Sequence, residues 1–112
     1  MMDIVQSSAG DVSILTVAGD VDGSTAPALQ EQVLAMQKAG NKMLLDLSGV
    51  GFMSSAGLRV MLLLYRQISA NKGKVILVGL SDEILSTMKA TGFHKSFTFA
   101  STIDEGIAGL GV

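Results

Sequence analysis

The chain has 112 residues, a mean hydropathy above zero, a formal charge of -2 from eight basic and ten acidic residues, and no cysteine. That length suits one compact domain over residues 1–112, burying roughly 60 to 70 % of its unfolded surface. The missing cysteines exclude disulfides and thiolate chemistry, and lysines and arginines that are scattered rather than clustered argue against direct nucleic-acid binding.

The opening residues, Met1-Met2-Asp3-Ile4-Val5-Gln6, lack the basic flank and apolar stretch of a secretory signal, which implies the cytoplasm. Short strands are expected over Asp3–Gln6 and Val12–Ala18, with Ala9-Gly10-Asp11 as the turn of a hairpin. From Ser24 to Ala39 the apolar Leu29, Val33 and Met36 follow helical spacing, with Gln30, Glu31, Gln37 and Lys38 on other faces. Ser24 or Thr25 can cap this helix, Pro27 suits its first turn, and Gly40 supplies a stop.

Met43–Leu47 and Lys74–Val78 are near-continuous apolar runs, the pattern of parallel strands covered on both faces. Between them, Ser55–Ala70 is predicted to be helical, with Leu58, Met61, Leu62, Tyr65 and Ile68 forming its apolar stripe. Within it the run Val60–Tyr65, bounded by Arg59 and Arg66, is far short of the roughly 20 residues that cross a bilayer, so no membrane insertion is expected. Arg59 and Arg66 lie on nearly one face.

Ser81-Asp82-Glu83 opens another helix with Ile84, Leu85 and Met88 inward and Gly92 as its end. Phe97–Phe99 suits an edge strand, and a last helix runs from Thr102 to Ala108 with Ser101 or Thr102 as its cap. The tail Gly109-Leu110-Gly111-Val112 is expected to fray. The fold class is therefore α/β, with a small, mostly parallel mixed sheet of four to five strands, an N-terminal hairpin and about four helices.

The stretch Asp46-Leu47-Ser48-Gly49-Val50-Gly51-Phe52-Met53-Ser54-Ser55-Ala56-Gly57-Leu58 places a serine pair where a strand passes through a short loop into a helix. A helix N-terminus favours an anion, so the fold would tolerate a phosphate attached there. Ser55 has Gly57 two positions after it but Met53 two positions before, which breaks the hydrolase elbow pattern. No base is placed beside either serine, so a catalytic role is the weakest reading.

The sole histidine, His94, reads as a solvated loop residue, and no ligand spacing suggests a metal or another cofactor. Gly49-Val50-Gly51 lacks the lysine of a phosphate-cradling loop and reads as a tight turn. One serine of the pair can cap the helix, but capping does not explain both. Gly57, so early in a helix, implies close approach by either a docking backbone or the core. Asp46, at the strand end, reads as structural.

The whole chain resembles a stand-alone STAS domain of the anti-sigma factor antagonist type. The family's G-E-L-D-x-x-[ST]-A segment corresponds to Gly19-Asp20-Val21-Asp22-Gly23-Ser24-Thr25-Ala26. Its D-[LF]-S-x-V-x-[FY]-[MI]-D-S-[SA]-G-[LI] signature falls on Asp46 through Leu58, and Val78-Gly79-Leu80 and Thr91-Gly92-Phe93 match later features. The acid that the family places before its phosphoserine is Ser54 here.

The resemblance implies a non-enzymatic switch. The unphosphorylated protein binds an anti-sigma factor with serine/threonine kinase activity and frees a sigma factor. Phosphorylation ends that capture, and a serine phosphatase resets it. The phosphorylated residue falls on Ser55, with Ser54 second. Partner contacts fall on Asp22, Ser24 and Thr25 of one loop and on Ser54, Ser55, Ala56, Gly57, Leu58 and Arg59 of the other. Arg59, one turn after Ser55, can offset part of a phosphate's charge. An alternative keeps the family but makes the chain a regulatory subunit docking on an ABC-type transporter ATPase without a phospho-switch. A monomer is the default for this composition.

Overall fold

The first hairpin closes on a two-residue turn at Gly10 and Asp11, with β1 (Asp3–Ala9) and β2 (Val12–Ala18) in antiparallel register from Asp3 opposite Ala18 to Ala9 opposite Val12. Gly10 takes φ +62°, a conformation that a Cβ penalises and that such a turn requires. β1 thus runs past the expected Gln6, because every residue to Ala9 finds a partner on β2. This computed structural model describes residues 2–36 and 41–110.

The chain continues through α1 (Ala26–Met36), β3 (Lys42–Gly49), α2 (Ser55–Ala70), β4 (Lys74–Val78), α3 (Asp82–Thr91), a 3-10 turn (Phe93–Lys95), β5 (Thr98–Ala100) and α4 (Ile103–Gly109). Among the described residues the sheet has five strands in the order β1-β2-β3-β4-β5, antiparallel at β1–β2 and parallel beyond. Each helical crossover advances one strand in the same direction, so right-handed connections bring α1, α2 and α3 to one face.

Strand alternation shows the consequence. Leu15, Leu45 and Leu77 pack in one cluster with Leu29, Val33, Met61 and Met88 of those helices. Ile14, Leu44, Ile76 and Val78 point the other way, into a smaller cluster joined by Leu110 and flanked by Ile103 and Ile107. α4 therefore covers the second face. With both faces covered, the interior strands need apolar residues at nearly every position, which is why β3 and β4 read as continuous runs.

Several expectations are corrected. Leu110, expected in a fraying tail, is 1 % exposed, and its amide donates to the Gly106 carbonyl at 3.2 Å. Gly109 ends α4, while Gly111 and Val112 lie outside the described residues. On α2 the fully buried stripe is Gly57, Leu58, Met61, Leu64 and Ile68, with Leu62 and Tyr65 half-buried at its margin.

Neither Ser24 nor Thr25 caps α1. Their hydroxyls accept from no amide of α1; the Thr25 carbonyl takes the first intrahelical bonds, from Ala28 and Leu29, and the Asp22 carbonyl closes the preceding turn by accepting from the amides of Thr25 and Ala26. Gln37, Lys38, Ala39 and Gly40 lie outside the described residues. Ser81 caps α3, and of Ser101 and Thr102 it is Thr102 that caps α4, their hydroxyls accepting from the amides of Ile84 and Glu105, while Gly92 ends α3 at φ +79°.

Candidate functional site

Because β2, β3, β4 and β5 are parallel, the loops that follow them gather at the C-terminal end of these strands, and the serine pair lies there. Ser54 is the N-cap of α2: its extended backbone, φ -76° and ψ 173°, lets its hydroxyl oxygen accept the Gly57 amide at 3.2 Å. Ser55 is the first helical residue and is exposed, and its hydroxyl has no partner among the described residues. Helix geometry leaves the amides of Ser55 and Ala56 without an intrahelical acceptor, so an anion at this position meets both free donors and the positive end of the dipole.

The β2–α1 loop is fastened to this turn by its backbone. The Val21 amide donates to the Phe52 carbonyl and the Ser54 amide to the Val21 carbonyl, each at 2.9 Å, forming an isolated parallel bridge between Val21 and Met53. A Cβ on Gly57 would lie 2.6 Å from the Val21 carbonyl oxygen and 3.0 Å from side-chain carbons of Met53 and Val21. The glycine lets α2 start against this backbone, so the close approach expected at Gly57 is made within the chain.

Held in this way, the next residues form a compact polar turn beside the serines. The Asp22 carboxylate accepts from the Ser24 hydroxyl at 2.7 Å, the Ser24 amide at 2.9 Å and the Thr25 amide at 3.2 Å, while the Asp22 amide donates to the Thr25 hydroxyl at 2.9 Å. The Ser24 hydroxyl, then the Ser24 and Thr25 amides, hold the Asp22 carboxyl below its ordinary pKa. A Cβ on Gly23 would sit 3.9 Å from that of Ala56, so the loop tip rests on the first turn of α2.

The structure thus brings Asp22, Ser24, Thr25, Ser54, Ser55 and Ala56 to one surface, with Arg59 exposed one turn further along α2. Gly57 and Leu58, expected among the contact residues, are buried and present no side-chain surface to a partner. Phe52 was not among the expected contacts, yet it stands 51 % exposed between buried Val50 and Met53. A large aromatic in a loop next to glycine was the available signal.

Asp46 lies on the α4 face of β3 and is 9 % exposed; its carboxylate accepts from the hydroxyl and amide of Ser48, as a structural role requires. Gly49 is not in a turn conformation: it ends β3 where a Cβ would press on Ala18 at 3.0 Å. His94 is half-buried in the 3-10 turn rather than solvated, and its Nδ1 is buried without a partner. It precedes β5, at the N-terminal end of the parallel strands and so at the opposite end from the serines, which makes it no base for either hydroxyl. No cluster of three metal-ligating side chains occurs among the described residues, and no helix among them is long and apolar enough to cross a membrane.

A model of the STAS domain family matches residues 4–106. The chain is 34 % identical over 77 residues to the anti-sigma-B factor antagonist of Listeria monocytogenes, covering 68 % of each. It is 23 % identical over 103 residues to that of Bacillus subtilis, covering 92 % of this chain and 94 % of the relative. The crystal structure of an anti-sigma factor antagonist from Mycobacterium paratuberculosis superposes with a TM-score of 0.88 at 25 % identity, covering 100 % of this chain and 96 % of that one.

Proposed function

This chain belongs to the STAS domain family, and from that membership we propose that it is an anti-sigma factor antagonist whose partner binding is switched off by phosphorylation of Ser55. The relatives named above are anti-sigma factor antagonists. The unphosphorylated chain captures an anti-sigma factor with serine/threonine kinase activity and frees the sigma factor. A serine phosphatase restores that form. The setting is the cytoplasm, as one domain.

The observation that carries this reading is the division of labour between the two serines. Ser54 is half-buried and its hydroxyl oxygen already accepts the Gly57 amide, so it is less open to a modifying enzyme than its neighbour. Ser55 is exposed and uncommitted, with two free amides beside it. A phosphate on Ser55 leaves the fold intact and adds about -1.5 to -2 charges to a surface that docking must desolvate. The exposed Phe52 supplies an apolar anchor next to that charge.

The test is mass mapping of the protein from its own cells, together with identification of what co-purifies. Phosphate on Ser55 and a kinase-fold partner support the proposal. Phosphate confined to Ser54 overturns the assignment, and an ABC-type ATPase partner with no phosphate overturns the switch.

A further inference from the structure

The outer face of α2 has a charge character opposite to that of the whole chain. Ser55, Arg59, Leu63 and Arg66 fall within about 80° of arc at 100° per residue, and the line from Ser55 to Arg66 is about 16 Å long. All four are exposed, and Leu63 keeps 40 % of its surface open to solvent. The sequence of α2 contains no carboxylate, although the chain carries a net charge of -2. Among the described residues the ion pair formed is Lys42 with Asp11, so neither guanidinium is paired with a carboxylate there.

We infer that this face is a docking track for an acidic segment of the anti-sigma factor, with Arg59 and Arg66 as its cationic contacts and Leu63 as the apolar contact between them. This rests on the reading above of the chain as an antagonist. The complementarity required is specific: two cations about two turns apart, a leucine between them, and no acid on the helix to repel the incoming segment. Two arginines fall short of the clusters of about four to eight basic residues that bind anionic membranes, so the occupant is a protein segment.

The track also explains how one phosphate acts over an extended contact. Arg59 stands four residues after Ser55, within reach of a phosphate on it. The phosphate draws Arg59 away from the partner and sets a negative charge at the head of the track, where the acidic segment must lie. Arg66 is about three turns away, outside the phosphate's reach, and therefore reports on the track independently of the switch.

The experiment measures the affinity of the purified kinase-type anti-sigma factor of the same organism for the wild-type chain, Arg66→Glu, Arg66→Gln and Ser55→Asp at two ionic strengths. Thermal melts confirm that each variant is folded. The track requires that Arg66→Glu lose about tenfold or more in affinity, that Arg66→Gln lose less, and that both show a weaker salt dependence than wild type. Wild-type affinity in Arg66→Glu, with Ser55→Asp unable to bind, overturns the track while leaving the switch standing. Wild-type affinity in Ser55→Asp overturns the functional reading itself. Binding of the wild type to phosphatidylserine vesicles that Arg66→Glu abolishes, with anti-sigma binding unchanged, assigns the face to a membrane and overturns the proposal.

Discussion

The carbonyl oxygen of Val21 accepts the amide of Ser54 at 2.9 Å. This bond and its companion from the Val21 amide to Phe52 join two loops that are distant in sequence. The Asp22 turn and the serine pair therefore form one surface rather than two. Anything that moves Val21 moves the ground on which a partner must stand.

Gly57→Ala measures that dependence. Alanine gains about 0.5 to 1 kcal/mol of helix propensity, but its Cβ would meet the Val21 oxygen at 2.6 Å, and overpacking of this kind costs about 1 to 3 kcal/mol. The backbone clash wins, so a net loss of stability is expected in chemical denaturation. A variant as stable as wild type would show that the loop yields freely.

Ser54→Ala removes the cap and is expected to cost about 1 kcal/mol, whereas Ser54→Asp keeps an accepting oxygen and leaves stability nearly unchanged. The same substitution accounts for the departure from the family motif. An acid before the phosphoserine and a serine at that position both serve as N-caps. Equal losses in the two variants would contradict the capping role.

Asp22 predicts a pH dependence. Its folded pKa is lowered by hydrogen bonds from Ser24 and Thr25, so its contribution to stability is fully present above the unfolded value of about 3.9 and is lost as pH falls through the folded value. The stability gap between wild type and Asp22→Asn should be widest near neutral pH and should close in acid. A gap independent of pH would remove the carboxylate's charge from the account.

Phe52→Ala separates docking from folding. With half of its surface exposed, the side chain contributes little to the core, so stability should change by no more than about 0.5 kcal/mol. Affinity for the anti-sigma factor should fall about tenfold or more, as for an aromatic anchor. Unchanged binding would place Phe52 outside the contact.

Leu110→Ala should cost about 2 to 5 kcal/mol, the loss for a buried leucine, and a loss near zero would return the residue to a frayed tail. Its burial was not legible from the chain because glycines flank it and α4 is short; only the uncovered face of Leu44 and Ile76 creates the need for it. The bounds of α2 and β4, by contrast, follow from local signals alone, the serine cap before one and the apolar run of the other.

Ser24 and Thr25 are well placed in sequence to cap α1, but their hydroxyls are drawn into the Asp22 turn, a competition that the spacing of the residues does not reveal. The meaning of Gly57 depends on Val21, a contact that no local pattern encodes. Phe52 sits in a loop without periodicity, so the glycine beside it marks the aromatic for notice while its exposure is settled only by the burial of Val50 and Met53 around it.

The proposed switch is Ser55 rather than Ser54. A binding titration of the purified kinase-type anti-sigma factor against wild type, Ser54→Asp and Ser55→Asp, with folding checked in each, separates the two serines. Wild type and Ser54→Asp should bind alike, while Ser55→Asp should lose about 100-fold or more through the like charge it sets in the contact. Tight binding by Ser55→Asp, or loss confined to Ser54→Asp, would take the switch away from Ser55.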